Sequence, residues 1–150
     1  MSITNFEIAF RHVITGRALT NCLADFLQIT PDNIVDADAY WVLDAHMQKT
    51  HIGVTVCHSG RGLRTLLKGV SGLALEGELL GELAFYYATR LKTEAVIGDH
   101  TYPDPRAQDR SLIYFPDGSC ARCIDNWDAA SQVNEVELAP FGRLPVILHK

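Results

Sequence analysis

The sequence predicts an α+β fold, two layers with helices packed on a mainly antiparallel sheet, in one domain spanning residues 1–150. The elements come in runs rather than in strict strand–helix alternation, which favours an antiparallel sheet. Glu76 to Lys92 carries one apolar stripe at helical spacing. Short alternating segments bounded by Gly, Pro and Asp lie on both sides of it.

From the N-terminus, Thr4 and Glu7 have capping-box spacing, and Phe6, Phe10, Val13 and Ile14 follow a helical stripe. A first helix ending at Gly16 is therefore expected, although Phe6, Ile8 and Phe10 also alternate as a strand would. A second helix is expected over Ala18 to Leu27, with Leu19, Cys22, Leu23, Phe26 and Leu27 on one face. Pro31 marks a turn or the first position of a short third helix.

The period then changes. Tyr40 to Leu43 is aromatic and β-branched, Ile52 to Val56 alternates, and Leu63 to Val70 follows the turn Ser59-Gly60-Arg61-Gly62. Joined through Gln48-Lys49-Thr50, they predict a three-stranded meander. In the helix Glu76–Lys92, acidic residues sit at the start and Arg90 and Lys92 at the end, matching the helix dipole. Gly77 and Gly81 weaken this helix unless they permit close packing on the sheet.

Later strands are expected at Glu94–Gly98, Ser111–Phe115, Cys120–Ile124 and Val133–Leu138. Thr101 to Asp109 is polar, with two prolines, and is expected to be an exposed loop. Asp117-Gly118 signals a turn. Val146 to Leu148 is expected as an edge strand or ordered tail, given Pro140, Gly142 and Pro145 before it.

Composition narrows the function classes. Apolar residues make up 47% of the chain and charged residues 21%, which excludes a disordered chain. The net charge of −5 argues against a surface built for phosphate backbones, so a nucleic-acid partner is not expected and a basic partner is. The start lacks the basic-then-apolar pattern of a signal peptide. Glu76, Glu78, Glu82 and Arg90 interrupt the most apolar stretch, short of the ~20 residues of a membrane span. A cytosolic chain, without a membrane partner and with its cysteines as thiols, is expected.

Several groups bear on chemistry. Cys120-Ala-Arg-Cys123 has the spacing of a zinc or redox pair, but a closed zinc site needs four ligands. A strand places these two side chains on opposite faces unless a bulge intervenes. His46, His51, His58 and His100 gather around the β regions, with Asp44 and Asp99 nearby in sequence and with His46 and His51 expected to flank one hairpin turn. They have no fixed ligand spacing, so Cys120, Cys123, His46, His51 and His58 are only weak metal candidates, and neither a metal nor a cofactor is expected. Cys57-His58 with Asp99 could suggest a nucleophile, base and orienter, but adjacent strand residues point apart. No Gly-x-Ser-x-Gly elbow is present. Ser59 to Gly62, with Arg64 and Lys68, forms a basic turn without the spacing of a phosphate loop.

The acidic residues group more clearly. One set is Asp32, Asp36, Asp38 and Asp44, a second is Asp99, Asp104 and Asp109, and a third includes Asp117, Asp125 and Asp128 beside Trp127. An electronegative face with an aromatic anchor is one way to capture a basic protein.

Glu82-Leu-Ala-Phe-Tyr-Tyr-Ala-Thr-Arg-Leu91 leads into Glu94-Ala-Val-Ile-Gly-Asp99 and, past a Pro-containing loop, Leu112-Ile-Tyr-Phe-Pro-Asp-Gly118. This layout resembles small bacterial immunity proteins of polymorphic and contact-dependent toxin systems. The resemblance implies a cytosolic, non-enzymatic protein that binds and neutralises one cognate toxin, often a nuclease. It transfers no individual functional residue. The expected contact residues are Asp99, Tyr102, Asp104, Asp109, Asp125, Trp127 and Asp128, with no catalytic residue among them. Two alternatives stand beside this: a small acidic chaperone or adaptor for a secreted effector, commonly a dimer, and a metal-dependent enzyme using the His and Cys residues.

Overall fold

The computed structural model describes residues 3–60, 62–101, 110–128 and 133–144, and side chains among these up to residue 122. One sheet runs through them, in the order β2-β3-β4-β1-β5-β6-β7-β8. The strands are β1 (Thr4–Phe10), β2 (Ile34–Asp36), β3 (Ile52–His58), β4 (Thr65–Ser71), β5 (Ala95–Gly98), β6 (Arg110–Tyr114), β7 (Cys120–Asp128) and β8 (Val133–Leu144). The helices are α1 (Gly16–Leu27), α2 (Ala37–Trp41), α3 (Ala45–Gln48) and α4 (Gly77–Leu91). All pairings are antiparallel except β2 with β3. The expected α+β class is the observed one. The path β1-α1-β3-β4-α4-β5, with spatial order β3-β4-β1-β5, is a split β-α-β arrangement.

The first segment is a strand, not the expected helix. A helix would bury Phe6 and Phe10 but turn Ile8 away, whereas period-2 alternation buries all three on one face. Strands on both sides, β4 and β5, then make β1 interior to the sheet. Gly16 is the first residue of α1 rather than a stop: Thr15 caps the helix, its hydroxyl accepting from the Ala18 N–H at 3.2 Å. Pro31–Asn33 forms a single 3-10 turn.

Residues 40–43 are not a strand either. Asp36 accepts from the Asp38 N–H at 2.9 Å and starts α2. That cap overrides the β preference of Tyr40-Trp41-Val42. Consequently only β3 and β4 of the expected meander exist as a hairpin, and β2 lies parallel against β3. Gly53 of β3 makes room for α2. A Cβ there would stand 2.6 Å from the Tyr40 Cβ and 3.1 Å from the Ala37 Cα.

The core lies between the helices and one sheet face, where Phe6, Ile8, Phe10, Leu19, Leu23, Leu83 and Tyr87 meet. Phe10 and Tyr87 pack edge-to-face at 5.1 Å, and the Tyr87 hydroxyl donates to the Leu19 carbonyl at 2.7 Å. Strand residues of the opposite parity, Val96, Ile113 and Ala121, form a smaller cluster capped by Leu63 from the β3–β4 loop. The two helix glycines serve different ends. Gly81 admits the Tyr114 hydroxyl, which would lie 2.8 Å from an added Cβ, while Gly77 supplies a φ of +58° at the helix start.

β8 runs through Pro140 and Gly142, beyond its expected end. These two fall where the β7–β8 ladder skips from Cys123↔Leu138 to Ala121↔Arg143. β8 ends the strand order, a position where proline is tolerated. The expected strand at Val146–Leu148, and most of the expected loop at Thr101–Asp109, lie outside the described residues.

Candidate functional site

Two places concentrate polar or apolar groups. One is the end of β5 under α4. Asp99 follows β5, and its side chain is only 1% exposed. One carboxylate oxygen accepts from the Thr101 N–H at 2.9 Å and from the Thr101 hydroxyl. The other faces Arg122 Nε at 3.5 Å, and Arg122 Nη2 donates to the Thr101 hydroxyl at 3.2 Å. Arg122 is itself 29% exposed in its side chain. Alongside, the Tyr114 hydroxyl lies beneath Gly81, and Cys120 is the cross-strand partner of Tyr114 in the β6–β7 ladder. Burial pushes the Cys120 thiol up to about 11, and raises Tyr114 as well.

This cluster holds structure together. A buried carboxylate needs a partner, and Asp99 has one within the chain. It is therefore not a free anchor on the surface, contrary to the expectation that it would meet a partner's cations. The raised thiol is the opposite of an activated cysteine, whose pKa lies low.

The second place is the β2-α2-α3 connection. Trp41, Val42 and Met47 are 55%, 84% and 39% exposed. Val13, at 61%, is the fourth large apolar residue exposed among the described residues. The other three are not floppy. Tyr40 is fully buried, its hydroxyl donates to the Gln48 carbonyl at 3.0 Å, and the Gln48 amide donates back to the Tyr40 carbonyl at 3.3 Å. This double bond clamps α2 to α3, and Trp41 and Met47 are the chain neighbours of the clamped pair. Trp41 packs edge-on against Tyr40 at 5.6 Å. Asp44 caps α3 by accepting from the Met47 N–H at 2.9 Å.

Acidic residues flank these apolar ones along the chain. Asp32, Asp36, Asp38 and Asp44 are all exposed, no Lys or Arg occurs from Gln28 to Gln48, and exposed Lys49 follows at the end of α3. Sequence reading identified these aspartates but read Tyr40–Leu43 as strand and so missed Trp41. The overlooked signal is Asp36-Ala-Asp38 ahead of Tyr40, a helix-start pattern.

No family model, curated protein or solved structure matches this chain.

Tyr102, Asp104 and Asp109 lie outside the described residues. Asp125, Trp127 and Asp128 fall on β7, whose backbone there pairs with β8 opposite Val136, Asn134 and Val133. His46 sits on α3, and His51 precedes β3, its Nδ1 2.9 Å from the Met47 carbonyl. They do not flank a hairpin turn, because α3 occupies that place. His58 Nε2 lies 2.8 Å from the Ile14 carbonyl, and neighbouring Cys57 is exposed. Strands β4 and β1 separate β3 from β5, so Asp99 does not join Cys57 and His58. The β6–β7 ladder runs without a break through Cys120 and Cys123, the shift there being confined to the β8 side. Among the described residues, no three His, Cys, Asp or Glu side chains gather as metal ligands would. No helix among them is long and apolar enough to cross a membrane.

Proposed function

We propose that this chain is a non-enzymatic binding protein that neutralises a basic toxin domain by covering its active site, as the resemblance to bacterial immunity proteins implies. The observation that carries the reading is the acidic stretch from Asp32 to Asp44. Its four aspartates, Asp32, Asp36, Asp38 and Asp44, are exposed, and the first Lys or Arg after them is Lys49. Such a field attracts a cationic cleft at long range and penalises acidic competitors. The acidic residues Asp104, Asp109, Asp125 and Asp128, with Tyr102 and Trp127, extend the proposed contact set, while Asp99 supports the fold from within.

The chaperone alternative calls for exposed apolar residues on α4. That helix instead buries Leu83, Ala84, Tyr87 and Ala88 and leaves its other leucines half-buried. The enzyme alternative gains no assembled constellation among the described residues. The test is direct capture. The neighbouring genes are searched for a toxin domain, the purified chain is titrated with it, and saturable binding that weakens with salt is expected. Absence of binding at low salt would remove the reading.

A further inference from the structure

We infer that the clamped α2–α3 surface, with Trp41, Val42 and Met47 at its centre and Asp36, Asp38 and Asp44 at its rim, is a docking site for a lysine- or arginine-rich apolar segment of a partner protein. The inference rests on the reading of this chain as a binder of cationic proteins and says where, and with what, it binds.

Four large apolar side chains are exposed among the described residues, and three of them fall within seven positions, at 41, 42 and 47. Scattered singly, such residues would need no explanation, but grouped on a stable element they mark a contact. Binding usually orders a mobile surface at a cost. Here the ordering is already done by the Tyr40–Gln48 clamp and by the Asp36 and Asp44 caps. A part-exposed indole on a fixed backbone is the side chain that most often dominates an interface.

Charge decides between occupants. In a second copy of this chain, a two-fold contact would bring Asp36, Asp38 and Asp44 towards their own counterparts, and like charges across a contact are repulsive. A nucleic acid meets the same repulsion from its phosphates. A segment carrying Lys or Arg beside apolar residues satisfies both the rim and the centre.

The test uses the full chain and two synthetic helical peptides, one of Leu and Lys and one of Leu and Glu at the same spacing, in isothermal titration. The Leu/Lys peptide is expected to bind and the Leu/Glu peptide not to. Val42→Asn and Trp41→Ala alter exposed side chains without adding charge. Each is expected to weaken the Leu/Lys peptide about tenfold or more. The triple change D36N/D38N/D44N keeps side chains able to cap and is expected to flatten the salt dependence. No binding of the Leu/Lys peptide, equal binding of both peptides, or indifference to Val42→Asn would overturn the inference. So would a wild-type dimer in sedimentation that Val42→Asn dissolves, since the occupant would then be a second copy. Peptide binding at this surface without capture of the toxin domain would instead sink the toxin reading and leave the docking site standing.

Discussion

The Tyr40 hydroxyl donates to the Gln48 carbonyl at 3.0 Å while the Gln48 amide donates to the Tyr40 carbonyl at 3.3 Å. Two helices of five and four residues would not hold their shape alone. Reciprocal bonding, with Tyr40 sunk in the core, gives them a fixed relation. Tyr40→Phe keeps the ring and removes the hydroxyl. It is expected to cost about 1 kcal/mol in urea unfolding. It is also expected to weaken partner binding, although Tyr40 itself is buried. An unchanged affinity would show that the clamp does not shape the surface.

Alkaline pH is expected to destabilise the fold. Burial pushes Cys22 and Cys120 from 9.0 up to about 11. The unfolded chain therefore releases these protons first. Their contribution is full below pH 9 and is lost as pH rises from 9 to about 11. Tyr87 and Tyr114, also raised by burial, act in the same direction at still higher pH. Urea midpoints measured across this range are expected to fall, and Cys22→Ala is expected to reduce the fall. In thiol labelling at neutral pH, exposed Cys57 reacts before buried Cys22 and Cys120.

Gly69 faces Phe6 across the β1–β4 ladder, and an added methyl would run into the Phe6 ring. Gly69→Ala is expected to cost about 1–3 kcal/mol, because both residues sit in sheet backbone with little freedom to move. Thermal unfolding reads this directly. A neutral result would mean the ring can swing aside.

Asp99→Ala removes the carboxylate that accepts from Thr101 and faces Arg122 Nε at 3.5 Å. Arg122 is partly solvated, so the expected loss is about 1–3 kcal/mol rather than the larger cost of a fully buried pair. The same variant is expected to bind the partner as tightly as wild type once folded. Loss of binding without loss of stability would return Asp99 to the contact surface.

Much of the fold is legible in the sequence where periodicity is local and unambiguous. The stripe of α4, the alternation of β3 and the Asp117-Gly118 turn each specify their element within a few residues. The two misread segments show where local signals conflict. Thr4 to Phe10 satisfies both a capping box and a strand, and strand pairing on both sides selects the second. Tyr40 to Leu43 has strand-like residues behind a helix-capping aspartate, and the cap governs. The site suffered from the second error, because reading Tyr40 to Leu43 as strand hid the exposure of Trp41 and Val42. Asp99 was misjudged for another reason. Its ion pair with Arg122 joins residues distant in sequence, and no local pattern announces it.

The most direct measurement is protection of growing cells. Cells expressing a toxin domain found encoded in a neighbouring gene are supplied with wild-type chain, Val42→Asn or D36N/D38N/D44N, at equal soluble levels. The account predicts rescue by the wild type and reduced rescue by both variants. Failure of the wild type to rescue, with the chain folded and abundant, would contradict it.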